Sequence, residues 1–328
     1  MAELRWNPIS KEWVMIASHR QSRPQMPKNW CPFCPGEDNE KVPKDFEVLR
    51  YPNDFPALRS DPPVPDDVET DPLFQTAPAY GRCDVLLYSK EHHGTVAELS
   101  DDHIHQLAHL WQDEFNDMKR DPKLKYCFIF ENRGAVVGVT MPHPHGQAYG
   151  YPFLPKKLEI ETASALEHLE NTGHCLYCDL LAAERKDGSR IIFENDYFTV
   201  YVPFFSAVTY AVHITARQHL PDLSAMDEET LCALGETVRG VAGMYDSLYG
   251  SQFPYMMCMH NGPINHENPK VGDAFHFHIE FVPPMRSETV QQFFASSETG
   301  AGAFCNPNKP EDKAGELREA YERYLHKT

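Results

Sequence analysis

The chain has 328 residues, a formal net charge of −18 at pH 7 and a pI near 5.3. This acidic balance argues against a protein that neutralises nucleic-acid phosphates or lies on an anionic membrane, so an anionic ligand would need a few well-placed cations. No apolar stretch reaches the roughly 20 residues of a membrane span, and the charged N-terminus does not resemble a signal peptide. We therefore expect a cytoplasmic protein, in which nine cysteines favour metal sites or redox motifs over disulfides.

The same order of features occurs twice along the chain. CPFC at 31–34 precedes an apolar stretch, a helical pattern, a second apolar stretch and then HPHGQ at 143–147. CLYC at 175–178 precedes the same three features and then HFHIE at 276–280. Self-similarity in this order predicts two similar halves.

Helices and strands are predicted from the spacing of apolar residues. Residues 100–120 and 226–245 carry apolar side chains every three or four positions, and a last helix begins near Pro310. Residues 61–79 are predicted to form a surface loop, and 151–174 to link the halves. Each half is therefore predicted to be a meander of strands with one long helix packed against it, so the predicted fold class is α+β.

Each C-x-x-C pair places two thiolates on one turn, within reach of a tetrahedral ion that needs two further ligands. Downstream histidines can supply them, and we predict zinc at both sites. A redox dithiol is the alternative, but such motifs usually open a helix, and neither pair is expected to do so. The candidate ligands are Cys31, Cys34, His143 and either His92 or His93 at the first site, and Cys175, Cys178, His219 and His276 at the second.

The second site has a rival interpretation. Glu161, His260, His276 and His278 could form a mixed carboxylate and imidazole site, which would suit iron as well as zinc. The second cysteine pair favours tetrahedral zinc.

The two prolines of MPHPHGQ predict an extended segment. In such a segment His143, His145 and Gln147 point the same way, with successive Cα atoms about 6.6 Å apart. If His143 binds zinc, the imidazole of His145 is held one step from the ion and could act as a base or as a nucleophile. Gln147 could then bond a phosphoryl oxygen as charge shifts onto it. The alternative is that His145 is a further metal ligand or a buried core histidine.

The segment FENRGAVVGVTMPHPHGQ resembles the active-site stretch of the galactose-1-phosphate uridylyltransferase family, a histidine-triad family built from two repeats. Further segments at separated positions are similar to the same family, namely RWNPISKEWVMIASHRQSRP, CPFC, YPNDFPAL, YSKEHHGTVAEL and PPMRSETVQQF. The resemblance implies an α+β fold of two tandem histidine-triad-like repeats, with antiparallel sheets and helices packed on them. The implied halves are residues 1–155, which carry the catalytic motif, and 156–328.

The resemblance also implies a mechanism and a set of site residues. His145 would attack the α-phosphorus of UDP-glucose, hold UMP covalently and pass it to galactose 1-phosphate, with Gln147 bonding the transferred group. Zinc would be structural, His92 rather than His93 would be the third ligand of the first site, and a homodimer would form active sites that borrow residues from the neighbouring subunit. The implied substrate-binding residues are Arg20, Arg23, Asn53, Asp54, Asn132, Gly138, Thr140, Gln147, Phe293 and Glu298.

Two departures leave other functions open. Residues 292–298 match the family only at Phe293 and Glu298, so the hexose specificity is not fixed by the resemblance. The second C-x-x-C pair and the tail ETGAGAFCNPNKPED are similar to a branch with two zinc sites that includes an ADP-glucose phosphorylase. A second hypothesis is therefore ADP-glucose as donor and phosphate as acceptor, and a third is a non-catalytic protein whose zinc clusters organise a binding surface.

Overall fold

The computed structural model describes residues 2–22, 30–36, 39 and 41–327. Within these ranges the strands are β1 (Ala2–Asn7), β2 (Glu12–Ala17), β3 (Leu49–Pro52), β4 (Thr76–Pro78), β5 (Arg82–Leu87), β6 (Tyr126–Arg133), β7 (His145–Tyr151), β8 (Ile191–Glu194), β9 (Phe198–Tyr201), β10 (Val212–Ala216), β11 (Tyr255–His260) and β12 (His278–Val282). The α-helices are α1 (Asp101–Lys119), α2 (Lys156–Thr172), α3 (Leu176–Asp187), α4 (Glu228–Leu248), α5 (Val271–Ala274), α6 (Ser296–Ala301) and α7 (Pro310–Leu325). Short 3-10 turns cover Ser18–Ser22, Val96–Glu98, Ala135–Val137 and Leu223–Ala225.

Most of the described strands form one nine-stranded sheet in the order β3-β5-β7-β6-β11-β12-β10-β9-β8. The first half supplies the block β3-β5-β7-β6 and the second half supplies the rest. The blocks join where β6 runs antiparallel to β11, with Arg133 opposite Tyr255 and Ile129 opposite Met259. Read outward from this junction, corresponding strands follow in the same order, so the predicted tandem repeat is confirmed. A separate three-stranded sheet has the order β2-β1-β4.

The two long helices predicted from apolar periodicity are confirmed as α1 and α4. Ser100 caps α1 by accepting a hydrogen bond from the amide of His103, and Asp227 caps α4 through the amide of Thr230. Their apolar faces join the sheet in the main hydrophobic core, where Trp111 is completely buried. Each large side chain buried in this way contributes about 1.5–3 kcal/mol.

Two local predictions need adjustment, and a third is confirmed. Residues 151–174 were expected only to link the halves, but they contain the 17-residue helix α2, which buries only Leu158, Thr162 and Ala165. The predicted loop at 61–79 includes the short strand β4, which pairs with β1. The last helix does begin at Pro310. Among the described residues, no helix has both the length and the apolarity needed to cross a bilayer.

Candidate active site and metal centres

The four ligands predicted for the first metal site converge. The donor atoms of Cys31, Cys34, His92 and His143 all lie within 4.8 Å of one another. Cys34 Sγ is 3.2 Å from His92 Nδ1 and 3.6 Å from His143 Nδ1. Around a tetrahedral zinc ion, with Zn–S of about 2.3 Å and Zn–N of about 2.0 Å, neighbouring donors are about 3.5 Å apart. The cluster therefore has the size and the donor types of a metal site.

The protonation states around this cluster suit a cation. His143 is 1 % exposed, and its Nε2 donates to the carbonyl oxygen of Ser89 over 2.7 Å. With the proton on Nε2, the lone pair on Nδ1 faces the sulfurs. Burial lowers the pKa of His143, which keeps the ring neutral. Burial and the neighbouring Cys31 raise the pKa of Cys34 to about 11, so a bound cation would be needed to hold both sulfurs as thiolates at neutral pH.

The second predicted cluster likewise brings two cysteine sulfurs and two histidine nitrogens together. Cys178 Sγ lies 3.6 Å from His219 Nδ1 and 3.4 Å from His276 Nδ1, and all four donor atoms, including that of Cys175, lie within 4.8 Å of one another. His219 Nε2 donates to the carbonyl oxygen of Gly272 over 2.9 Å, as His143 does to Ser89.

One expectation about the second cysteine pair was wrong. Cys175 is the N-cap of α3, and Cys178 lies in its first turn, so this pair does open a helix. That geometry is shared with redox dithiols. The convergence of two imidazoles on the sulfurs favours a metal site nevertheless.

The rival ligand set at the second site is divided between two clusters. His276 faces Cys178, whereas Glu161, His260 and His278 form a separate group whose donor atoms lie within 4.8 Å of one another. His260 Nδ1 is 2.8 Å from Glu161 Oε2. The second half therefore offers a four-donor cluster with sulfur and a neighbouring three-donor cluster without it.

His145 is held by the backbone of the residue two positions before it. Its Nδ1 donates to the carbonyl oxygen of His143 over 2.7 Å. Because a carbonyl can only accept, the ring proton is on Nδ1, and a neutral ring then carries its lone pair on Nε2. His278 makes the equivalent bond to His276 over 3.0 Å. Within the described part of the chain, His145 belongs to none of the metal-compatible clusters.

Two cavities meet at His145. The first is lined by Phe33, Tyr51, Asn53, Asp54 and Gln147 among others. The second has a volume of about 230 Å³, and its lining includes Asn132, Gly134 and His143. Both are also lined by Met141 and His145. His145 therefore borders both cavities.

The structure places most of the implied substrate-binding residues near these cavities. Arg20 Nη1 donates to Tyr149 Oη over 3.4 Å, and Tyr149 Oη donates to Gln147 Oε1 over 3.4 Å. Arg20 is thus linked to Gln147 through a tyrosine that the sequence analysis did not single out. Gly138 has a φ of +78° and ends a 3-10 turn. Gly138 and Thr140 alternate with Val139 and Met141, which line the second cavity.

Two implied residues are not brought to His145 in the described chain, and a third, Arg23, lies outside the described residues. Phe293 is 72 % exposed, and Glu298 lies in α6, where it accepts a hydrogen bond from the amide of Ala295. Phe293 and Glu298 do not line either of the cavities that meet at His145.

The sequence analysis missed a buried carboxyl beside the site. Glu131 is 6 % exposed, lines the second cavity and accepts a hydrogen bond from Tyr255 Oη over 3.2 Å. Burial raises its pKa to about 7. In the alternating pattern of YCFIFENR, Glu131 falls on the same face as Cys127 and Ile129, both completely buried. A charged residue at an inward-facing strand position was the signal that could have identified it.

The chain is similar to known proteins over nearly its whole length. The model of the galactose-1-phosphate uridyl transferase N-terminal domain matches residues 1–155, and that of its C-terminal domain matches residues 159–320. The galactose-1-phosphate uridylyltransferase of Thermotoga maritima is 37 % identical, over 97 % of this chain and 98 % of that relative. The Haemophilus influenzae protein of the same name is 30 % identical, over 90 % and 87 % of the two chains.

Solved structures give the same result for the fold. A uridylyltransferase structure superposes with a TM-score of 0.88 at 25 % identity, covering 98 % of this chain and 99 % of that one. An ADP-glucose phosphorylase from Arabidopsis thaliana, solved with bound ADP-glucose, has a TM-score of 0.75 at 23 % identity, covering 97 % and 99 % of the two chains. The second likeness concerns the fold alone.

Proposed function

The chain belongs to the galactose-1-phosphate uridylyltransferase family of nucleotidyltransferases, and we propose that it exchanges UMP between UDP-glucose and galactose 1-phosphate in galactose metabolism. UMP is held on His145 between two half-reactions, which gives ping-pong kinetics. The observation that carries this proposal is the placement of His145. Its Nδ1 proton is committed to the His143 carbonyl, and its ring lies where two cavities meet.

In the first half-reaction, the lone pair on His145 Nε2 attacks the α-phosphorus of UDP-glucose. A nitrogen–phosphorus bond forms, the bond from the α-phosphorus to the bridging oxygen breaks, and glucose 1-phosphate leaves with the electron pair. The imidazole becomes positively charged, and the carbonyl oxygen of His143, which already accepts from Nδ1, stabilises that charge. In the second half-reaction, a phosphate oxygen of galactose 1-phosphate attacks the same phosphorus, the nitrogen–phosphorus bond breaks, and its electron pair returns to Nε2, giving UDP-galactose and the neutral ring.

Gln147 and Arg20 are proposed to bind the phosphates. The bond from Tyr149 Oη to Gln147 Oε1 directs the amide oxygen toward the tyrosine and the NH₂ group away from it. That NH₂ group can then donate to a phosphoryl oxygen beside His145. Asn53 and Asp54, in the first cavity, are proposed to bind the nucleoside, and Asn132, Gly138 and Thr140 the phosphates.

Both cysteine and histidine clusters are proposed to hold structural zinc. Two thiolates and two imidazoles are the donor set that tetrahedral zinc prefers. At the first site, coordination of His143 would fix the carbonyl to which His145 is bonded. Elemental analysis of the purified protein should give at least two zinc ions per chain, whereas iron at the second site would support the rival interpretation.

The quaternary structure is proposed to be a homodimer. Phe293 is largely exposed, and in a dimer it and Glu298 would reach the hexose side of the neighbouring active site. Residues 1–155 and 156–328 are proposed to be the two functional halves, and the cytoplasm is the proposed location.

One experiment separates the three candidate functions. Turnover is measured with UDP-glucose plus galactose 1-phosphate and, in parallel, with ADP-glucose plus inorganic phosphate. The proposal requires substantially faster turnover of the first pair. Preference for the second pair would establish the phosphorylase hypothesis, for which the second cysteine cluster is the supporting observation. No turnover of either pair by zinc-loaded protein would favour a binding protein.

A further inference from the structure

Besides the three donor groups described above, a fourth group of possible metal ligands lies on the outer surface of the helix pair α1 and α4. The donor atoms of His109, Glu228 and Cys232 lie within 4.8 Å of one another. His109 Nε2 is 3.0 Å from Glu228 Oε1, and Cys232 Sγ donates to the same carboxylate oxygen over 3.5 Å. None of these residues takes part in the active site or in the two clusters of cysteine and histidine described above.

The two helices hold these donors on a rigid frame. α1 and α4 pack antiparallel. His105 pairs with Glu236 over 2.8 Å, whereas His109, one turn later in α1, pairs with Glu228, which lies two turns earlier in α4. The backbones approach closely at Gly235, where a Cβ atom would lie 2.8 Å from the carbonyl oxygen of Ile104. Donors presented by two closely packed helices lose little further conformational freedom on binding an ion.

The combination of donors indicates the kind of ion. An imidazole, a carboxylate and a thiolate together suit zinc and similar transition-metal ions, whereas magnesium and calcium prefer oxygen ligands. Three protein ligands leave a coordination position for water. The side chains of His109 and Glu228 are 41 % and 69 % exposed, so an ion can enter from solvent.

We propose that His109, Glu228 and Cys232 form a zinc site that bridges α1 of the first half and α4 of the second half. Binding displaces the thiol proton of Cys232 to solvent and places the Cys232 sulfur, a His109 nitrogen and a Glu228 oxygen around one ion. Because each half supplies at least one ligand, zinc bound here cross-links the halves and favours the folded state by mass action.

Protection of thiols from alkylation tests the site without reference to catalysis. The full-length protein, with its two Cys/His clusters already loaded with zinc, is treated with iodoacetamide in increasing concentrations of free zinc, and each cysteine is followed by peptide mass spectrometry. Since the thiolate is the nucleophile and coordination removes it, zinc should slow alkylation of Cys232 by roughly tenfold or more. Cys305, which is exposed, serves as the internal control and should not change. Magnesium should protect neither.

Two matched variants identify the ligands. H109A removes a proposed ligand, while H105A removes the histidine of the neighbouring ion pair one turn away. Protection of Cys232 should be lost in H109A and retained in H105A, with circular dichroism showing that both are folded. Unchanged alkylation of wild-type Cys232 in zinc, full protection in H109A, or loss of protection in both variants would each overturn the assignment.

Discussion

At the scale of single residues, the hydrogen bond between His145 and the carbonyl of His143 connects the first Cys/His cluster to the proposed chemistry. It sets the tautomer, orients the ring and grows stronger when the ring becomes positively charged. Hydrogen bonds to charged groups contribute about 1.5–3 kcal/mol, against about 1 kcal/mol for neutral ones. The difference is available only once the bond to phosphorus forms, so it lowers the barrier rather than the energy of the resting enzyme.

A second residue-scale feature is the buried carboxyl of Glu131. Tyr255 donates to it. Arg133, on the same strand, attracts its charged form and donates a hydrogen bond to Asp246 of α4 over 2.7 Å. Burial outweighs the attraction of Arg133, so the pKa of Glu131 is raised to about 7. The carboxyl is therefore poised between its neutral and charged forms at neutral pH.

The raised pKa of Glu131 determines how the free energy of unfolding changes with pH. The folded-state pKa of about 7 lies above the ordinary value of 4.5, so the folded chain binds the proton more tightly and loses unfolding free energy as the pH rises toward 7. E131Q lacks this equilibrium. Relative to wild type, its unfolding free energy should rise by about 1 kcal/mol between about pH 6 and about pH 8. Urea unfolding of both proteins at each pH measures the difference, and a difference that does not change with pH would refute the assignment.

At the scale of elements, each of the two Cys/His clusters has one histidine just before the start of a strand. His143 precedes β7 by two residues, and His276 precedes β12 by two residues. In the first half, the strand that follows carries His145 and Gln147. In the second half, it carries His278 and Glu280, which lie among buried polar groups. The two Cys/His clusters are therefore followed by strands that carry different side chains, and only the strand of the first half is proposed to be catalytic.

Removing one cysteine from each cluster tests this asymmetry. C34S and C178S should each lose one zinc ion per chain by elemental analysis. C34S should lose turnover by about a hundredfold or more, because small displacements of a nucleophile have effects of that size. C178S should keep most of its turnover once activity is normalised to the folded fraction. Equal losses of turnover in the two variants would mean that the first cluster has no special relation to His145.

The packing of α1 on α4 gives an element-scale prediction about stability. An alanine at Gly235 would place its Cβ 2.8 Å from the carbonyl oxygen of Ile104, whereas at Gly240 the nearest atom is 3.4 Å away. G235A should therefore be destabilised by about 1–3 kcal/mol through overpacking. G240A, in the same helix, should be neutral or gain up to about 1 kcal/mol from helix propensity. Thermal unfolding compares them, and equal stability would show that the helices separate easily.

The elements were predictable where a local pattern matched the packing. The apolar stripe and the Ser100 cap of α1 are encoded within a few residues, and the same holds for α4. α2 was missed because it buries only Leu158, Thr162 and Ala165, so it has little apolar periodicity. The C-x-x-C motifs indicated which residues cluster, but their spacing did not distinguish a turn from the start of a helix at Cys175.

At the scale of the whole molecule, the two halves share one sheet through the pairing of β6 with β11. This register, with Arg133 opposite Tyr255, joins residues more than a hundred positions apart, and nothing in either segment alone encodes the partner. The repeat in the sequence predicted two similar units but not that they would form one continuous sheet. The same limit applies to the hydrogen bond that Glu131 accepts, since its donor, Tyr255, lies across that junction.

The proposed homodimer predicts complementation between inactive variants. H145A lacks the nucleophile, and E298A lacks a residue proposed to serve the neighbouring active site, so each homodimer should be inactive. After the two proteins are unfolded together and refolded as an equal mixture, half of the dimers are mixed and one of their two sites is intact. Activity should recover to about one quarter of wild type. Absence of recovery, despite mixed dimers detected by native mass spectrometry, would show that Glu298 does not act across the interface.

The central claim is that His145 carries the nucleotide. Zinc-loaded protein is incubated with UDP-glucose labelled at the α-phosphate, without acceptor, and the quenched protein is digested and mapped by mass spectrometry. We expect an acid-labile uridylyl group on His145, its discharge by galactose 1-phosphate, and no adduct in H145A. Absence of the adduct from active wild-type protein, or an adduct that persists in H145A, would contradict the account.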